Sequence, residues 1–539
     1  MPGMLAATAA RVPDAPMLDF YGRKYSYAQV HRAARQMACG LIAQGIRPGD
    51  RVGLFLPNVP HYVAAYYGAM IAGAVAVNFS PLYTVEELAH QVEDSGTRML
   101  FTLTAKALLP TAYAVLNASS LETLVLGSVA GVLPLAKSVG YRLFKRSDEA
   151  ARPHDPRILS FSRLLDNDGA CPLPAIDPEH DLALLQYTGG TTGRPKGAML
   201  SHQNLTANAR QCCIIDPDMD KPDRIIGVLP FFHVFANTAV LNRTIYHGGE
   251  IVMLPRFDAG QTLAAIRRTR ATSMPGVPTM YQALLDHKDL ARTDFSSLRT
   301  CVSGGAPLPL PLKARFEAVT GARLVEGYGL TESSGVVSAN PYRGEGKAGT
   351  IGQPMPGTLV RIVDKSDPSR PAPNGEPGEM VIFGPQVMQG YWRRPEASAE
   401  VFIDGGIRTG DVGIIDADGF IRVVDRMKDM IAVGGFKVFP SEVEAVLYRH
   451  PAVREALVIG VPDAYHGEMP KAFVTLEAGA AISGKDLMAW LNPQLGKHER
   501  VVAVEIRASL PRTLVGKLSR KELVAEERAK AEAANSECQ

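Results

Sequence analysis

The chain reads as an α/β protein. A large multi-subdomain N-terminal part holds parallel α/β sheets and a small β-rich subdomain, and a small α+β part follows it. Three observations predict this. Helical and strand patterns alternate over residues 31–103, short strands divided by turn clusters fill 340–424, and helices and strands mix again over 430–539. Regular alternation of strand and helix sets parallel strands side by side with helices on their faces.

The first helix spans 31–46, where Ala33, Ala34, Met37, Ala38, Leu41 and Ile42 share one face. Gly45 and the Pro48-Gly49-Asp50 turn end it, and 51–56 follows as a buried strand. Pro60 opens the next helix as its first residue and Gly73 closes it. After the 74–79 strand, Thr84-Val85-Glu86-Glu87 forms a capping box, and 99–103 is again a strand. Segment 126–146 is apolar and ends in Arg142, Lys145 and Arg146. Two readings stay open for it: a surface helix packed on its own domain, or a helix lying on a membrane surface.

Beyond Pro174 the alternation resumes. Strands are expected at 249–254, 298–302 and 323–325, with helices from Asp258 to Arg270 and over 310–319. Turn clusters such as Pro373-Asn374-Gly375-Glu376 and Asp416-Ala417-Asp418-Gly419 then mark the β-rich subdomain. In the last part, helices are expected at 441–448, opened by a Ser441/Glu444 capping box, and at 484–491, with strands at 456–461 and 472–476. The charged, Ala-rich tail from Arg520 to Cys538 is expected to form a helix that frays.

Composition excludes several classes. Of 539 residues, 46% are hydrophobic and 21% charged, and the 50 Gly and 39 Pro are dispersed, so collagen, coiled coil and wholesale disorder do not fit. With 57 basic against 55 acidic residues the net charge is only +2, and no nucleic-acid partner is expected. Six cysteines without a C-x-x-C pair support neither a disulfide scaffold nor a zinc ribbon. The N-terminus makes a poor signal peptide, and no apolar run reaches the ~18 residues of a membrane span. A reducing cytoplasm is the expected compartment, with peripheral contact to the inner membrane and a homodimer left open.

The densest chemistry lies in Tyr187 to His202, YTGGTTGRPKGAMLSH. Glycines let successive backbone N–H groups face one anion, threonine hydroxyls add donors, and Lys196 adds charge. This is a phosphate loop, but not a Walker loop, because G-x-x-x-x-G-K-[ST] is absent. Ser303 and Ser333 lie near glycines, yet neither sits in G-x-S-x-G, so an esterase elbow fails on spacing. His233, in Pro230-Phe231-Phe232-His233-Val234-Phe235, has no second ligand at metal spacing.

The phosphate loop strongly resembles that of the acyl-adenylate-forming superfamily, which holds acyl-CoA synthetases, luciferases and peptide-synthetase adenylation domains. Further segments follow in the family's order: Ser303-Gly304-Gly305-Ala306-Pro307-Leu308, Glu326-Gly327-Tyr328-Gly329-Leu330-Thr331-Glu332, Thr409-Gly410-Asp411, Asp425-Arg426-x-Lys428-Asp429 and Pro511 to Lys517. The likeness runs from about residue 18 to residue 524. It is nearest to bacterial long-chain fatty acid–CoA ligases, through Asn78 to Thr84 and Gly384 to Trp392.

The resemblance implies a two-step ligase that forms acyl-AMP and pyrophosphate from a fatty acid and ATP, then passes the acyl group to coenzyme A and releases AMP. It implies ATP contacts from Thr188, Gly189, Gly190, Thr191, Thr192, Gly193, Lys196, Gly304, Gly305, Ala306, Glu326, Gly327, Tyr328, Gly329, Thr331, Asp411, Arg426 and Lys517. Thr188 and Glu332 would hold Mg²⁺, a hard cation suited to oxygen ligands. Lys517 would bridge the carboxylate and the α-phosphate, and His233 would gate or position the acyl group. Residues 1–424 would bind AMP and acid, 425–429 would form a hinge pivoting at Lys428, and 430–539 would be a mobile domain whose Gly434, Gly435 and Phe436 line the CoA tunnel. Some relatives carry a tryptophan gate shortly after the histidine, where this chain reads Phe235-Ala236-Asn237, so chain length stays open. A dicarboxylate or aryl acid, or a carrier protein in place of CoA, are the alternatives.

Overall fold

The computed structural model describes residues 1–144, 146–188, 195–365, 367–373, 375–463, 465–513 and 516–537. Among the described residues the strands form a seven-stranded sheet, a nine-stranded sheet and two five-stranded sheets. The seven-stranded sheet runs Ile158–Ser160, Thr123–Gly127, Thr97–Leu103, Arg51–Leu54, Val75–Asn78, Leu182–Tyr187 and Gly197–Ser201 in spatial order, parallel except for its last pair. In the nine-stranded sheet, the strands from Arg323–Tyr328 across to Pro16–Phe20 are parallel, with antiparallel pairs at both edges. The β-rich subdomain is an antiparallel sheet over residues 359–426, and the chain is mixed α/β as its sequence predicts.

Local signals explain many element boundaries. The Pro60–Ile71 helix starts on its proline, whose missing N–H would be unpaired at that position anyway. It is buried on every face, packed on the Tyr27–Ala43 helix and on the strands Arg51–Leu54 and Val75–Asn78. Thr84 and Glu87 exchange both capping bonds, and Asp258 caps the Ala259–Thr269 helix through Gln261 N–H.

One apolar cluster runs from Met1 to Ile421, and a separate one begins at Ile431. In the C-terminal sheet the two-residue period of a strand divides the packing. Ala456 and Val458 face the cluster with Leu487 and Leu491, while Leu457 and Ile459 face Phe473, Leu510 and Leu523 on the other side.

Two expectations need correction, at 441–444 and at 126–146, and a third element, the tail, forms the helix expected of it. Ser441 and Glu444 do not cap a helix: Pro440–Leu447 follows Phe439 without a side-chain cap. Glu444 is instead buried, accepting from Val458 N–H and pairing with Arg520 at 2.7 Å, while Asp425 takes the Ser441 N–H. The tail helix Lys521–Glu537 is held over its first turns by fully buried Leu523 and by ion pairs Lys471–Glu527 and Arg507–Glu526. Segment 126–146 is not one helix. Residues 126 and 127 end a strand, Val129–Val132 is a short turn of helix, and Leu135–Phe144 is a second helix without one buried residue. Lys145 lies outside the described residues. One bond has no signal in the sequence: Cys39 on the Tyr27–Ala43 helix is joined to Cys171, 132 positions away.

Candidate active site

A cleft of 2320 Å³ opens where the two large sheets, the β-rich subdomain and the C-terminal unit meet. Thr188, Lys196, His233, Gly304, Gly305, Ala306, Glu326, Gly327, Tyr328, Gly329, Thr331, Glu332, Asp411, Arg426, Lys428 and Lys517 all line it. Gly189, Gly190, Thr191, Thr192 and Gly193 lie outside the described residues. Gly434, Gly435 and Phe436 are not brought to the cleft. They form a turn between Ile431–Val433 and Phe436–Val438, where Phe436 stays exposed and stacks on His498 at 3.9 Å.

Strand ends deliver most of these groups. The Arg323–Tyr328 strand carries Glu326 and Tyr328 to the cleft, and the Gly406–Ile415 strand carries Asp411. The Tyr328 hydroxyl and the Arg426 guanidinium both donate to the Asp411 carboxylate, Arg426 at 3.2 Å. Burial raises the Asp411 carboxyl, and Arg426 and Tyr328 oppose that rise. Burial also pushes Glu326 up to about 8, and its Oε1 accepts the Leu308 N–H at 3.1 Å.

Glu332 has a partner that motif reading missed. Tyr391 donates its hydroxyl to Glu332 Oε1 at 2.7 Å, and the Lys196 ammonium lies 5.0 Å from the centre of the same ring. Met388 N–H reaches the Glu332 carbonyl at 2.8 Å. The 384–392 stretch thus holds both the carboxylate and the loop lysine; an aromatic within it was the available signal.

His233 sits above a ladder of buried amides. Asn78 donates to Gln186, Gln186 donates to the Phe232 carbonyl, and the Tyr62 hydroxyl meets Asn78 and the Phe231 carbonyl, all at 2.7–2.9 Å. Leaving any of these unpaired in the core would cost ~1–3 kcal/mol, so the loop before His233 is held firmly. Residues Asn237–Asn242 form a π-helical turn, a widening often found at functional sites. His233 Nδ1 accepts the Phe235 N–H at 3.3 Å, which leaves the ring proton on Nε2. Burial, aided by the charge of Lys517, lowers this imidazole to about 3, so it is neutral near pH 7.

Lys517 comes from the C-terminal unit. Its chain crosses the backbone of Gly305 so closely that a Cβ there would stand 2.3 Å from Lys517 Cε. Gly305 also has φ +80°, a conformation that suits glycine. The Thr279 hydroxyl donates to the Gly516 carbonyl at 3.1 Å, and Arg454 pairs with Asp286 at 2.7 Å, both across the units. Enclosure lowers the Lys517 amine to about 8, with Arg426 acting in the same direction. Lys428 is lowered as well, by burial first and Arg426 second.

Fold and cleft together define a two-unit α/β enzyme whose cleft gathers Lys196, Arg426, Lys428 and Lys517 with the hydroxyls of Thr188 and Thr331. The chain belongs to the AMP-binding enzyme family: residues 5–392 match that family and residues 442–517 match its C-terminal domain. It is similar to a long-chain-fatty-acid–CoA ligase of Bacillus subtilis (strain 168), 42% identical over 533 residues, covering 97% of this chain and 94% of that one. It is 38% identical over 512 residues to a feruloyl-CoA synthase of Amycolatopsis sp, covering 95% and 96%. Its fold is similar to that of ATP-bound MatB from Rhodopseudomonas palustris, with a TM-score of 0.84 and 30% identity over 97% of this chain and 98% of the other.

Proposed function

We propose that the chain is an ATP-dependent fatty acid–CoA ligase that works in the cytoplasm in two steps. A carboxylate oxygen of the acid bonds to the α-phosphorus of ATP, the bond from that phosphorus to the bridging oxygen breaks, and pyrophosphate leaves. The sulfur of CoA then bonds to the acyl carbon, the bond to the AMP oxygen breaks, and AMP leaves. The observation that supports this best is Lys517 crossing Gly305 into a cleft that also contains Thr188, Lys196, Glu332 and Asp411.

The first step crowds like charges, so the chain must supply fixed positive charge and donors. Lys517 bridges carboxylate and α-phosphate, and Lys196 faces the outer phosphates. Asp411 accepts the ribose hydroxyls, with Arg426 and Tyr328 fixing its orientation. Neutral His233, its proton on Nε2, donates to the acyl carboxylate without adding a charge. Among the described residues no group of three His, Cys, Asp or Glu side chains is placed to hold a metal. Glu332 and Thr188, which both line the cleft, would hold Mg²⁺, and the ion would neutralise phosphate charge there. Residues 425–429 act as the hinge between 1–424 and 430–539, and turning about Lys428 would bring Gly434, Gly435 and Phe436 to the CoA path.

The acid side of the cleft is apolar, with Phe235, Cys212, Ala239 and Val336 packed together. Arg243 also borders it, but Asp216 and Asp223 both pair with that guanidinium. A cation already matched by two carboxylates is a poor receptor for the far end of a dicarboxylate, which favours a monocarboxylic fatty acid. An aryl acid is the second reading, favoured by the feruloyl-CoA synthase relative. Pyrophosphate release with ATP and Mg²⁺, measured over saturated acids of increasing length, an aryl acid and a dicarboxylate, tests this. Release with fatty acids, followed by acyl-CoA only when CoA is added, is the expected result. Release only with the aryl acid moves the assignment to the second reading, and no release with any acid refutes both.

A further inference from the structure

Helix Leu135–Phe144 inverts the usual rule for surface helices. Leu135, Val139 and Leu143 recur every four residues on one side, and they are 84%, 50% and 69% exposed; Phe144 is 83% exposed. Tyr141, on the opposite side, is the residue that packs on the main core. The apolar stripe therefore faces outward.

This orientation is built in by the neighbouring hairpin. Arg23 donates to the carbonyls of Gly131 and Leu133, and the Tyr25 hydroxyl donates to the Val132 carbonyl at 3.0 Å. Lys137 donates to the Tyr21 carbonyl at 2.9 Å and lies 5.4 Å from the centre of the Tyr21 ring. Anchoring on both sides of the 133–134 break fixes the helix with its stripe outward.

Charge says what covers it. Arg142 borders the stripe beside Leu135, and the sequence continues with Lys145 and Arg146 before Asp148 and Glu149. Basic side chains flanking an apolar stripe match a surface with an oily interior and anionic headgroups. No helix among the described residues is long and apolar enough to cross a membrane. We propose that the Leu135–Phe144 helix docks the enzyme on an anionic lipid bilayer, lying in the interface with Leu135, Val139, Leu143 and Phe144 toward the acyl chains and Arg142 at headgroup level.

The test is co-sedimentation of the full chain with phosphatidylglycerol–phosphatidylethanolamine vesicles and with phosphatidylcholine vesicles. Binding is expected to the first and much less to the second, falling as salt is raised. Leu143→Glu combined with Phe144→Glu should weaken it about tenfold or more, and Arg142→Glu about tenfold. Adenylation of a water-soluble acid should stay at the wild-type level in these variants, which shows that they fold. Absence of wild-type binding, equal binding to phosphatidylcholine, or undiminished binding by the variants overturns the proposal. So does a dimer in gel filtration that the variants dissolve, since a second copy would then be the occupant. Because the ligase assay is separate, failure here leaves the catalytic reading standing, and the reverse holds too.

Discussion

The role proposed for Lys517 requires its charge, yet its surroundings make charge expensive. An amine held near 8 is protonated below that pH and neutral above it. We therefore expect kcat/KM for adenylation, which reports the free enzyme, to fall as pH rises through about 8. Lys517→Arg should flatten that limb because a guanidinium stays charged. Lys517→Ala should cut acyl-AMP formation by ~10²–10³-fold, the size of one lost electrostatic donor, while CoA still consumes acyl-AMP supplied ready-made. Equal loss of both half-reactions would place Lys517 elsewhere in the cycle. Gly305 makes a second test of the same contact. Gly305→Ala puts a methyl where Lys517 Cε runs and strains a positive φ, so adenylation should drop by about tenfold or more with the CoA step spared. Matching activity in the variant, read by pyrophosphate release, would show that Lys517 does not need this path.

At the level of elements, the hinge carries the sharpest expectation. Lys428 lies in the 3-10 turn Met427–Asp429 between the two apolar clusters. Proline there fixes φ and removes a donor. Lys428→Pro should leave one half-reaction working, adenylation if the present orientation is the one retained, and abolish the other. Loss of both in a folded variant would end the pivot assignment. Much at this scale was legible beforehand because the signals are local: a proline at a first helical position and a Thr-x-x-Glu box. What escaped was decided at a distance. Glu444 looks like a cap in sequence, but a half-buried Arg520 and the Val458 N–H claim it. Tyr391 and the Asn78–Gln186 ladder serve the cleft from strands and loops that only the folded chain brings together. The outward stripe at 135–144 was ambiguous because periodicity tells which residues share a face, not which way the face points.

The whole molecule adopts one of the two orientations that a two-step ligase of this kind would need. Lys517 is in the cleft, Gly434 to Phe436 are out of it, and this arrangement is fastened by Thr279–Gly516 and Asp286–Arg454. Both partners of the ion pair are about a third exposed, so it is worth only ~0–1 kcal/mol. A weak latch suits the proposed release of this unit between the two steps. Arg454→Ala should therefore slow adenylation no more than about fivefold and leave the CoA step unchanged or faster. A larger loss, measured with the two half-reactions separated, would mean that Arg454 acts on substrate instead.

The break in apolar packing between Ile421 and Ile431 has a consequence for how the chain comes apart. Two oily interiors that share no side chains need not melt together. Scanning calorimetry of the unliganded protein should resolve a smaller endotherm for the C-terminal unit from a larger one for the rest. A non-hydrolysable acyl-AMP mimic, touching Lys517 on one side and Asp411 on the other, ties the two and should raise the lower transition until the peaks merge. A linker that lets the small unit turn, as proposed, would also make it the first part of the enzyme to be lost on heating.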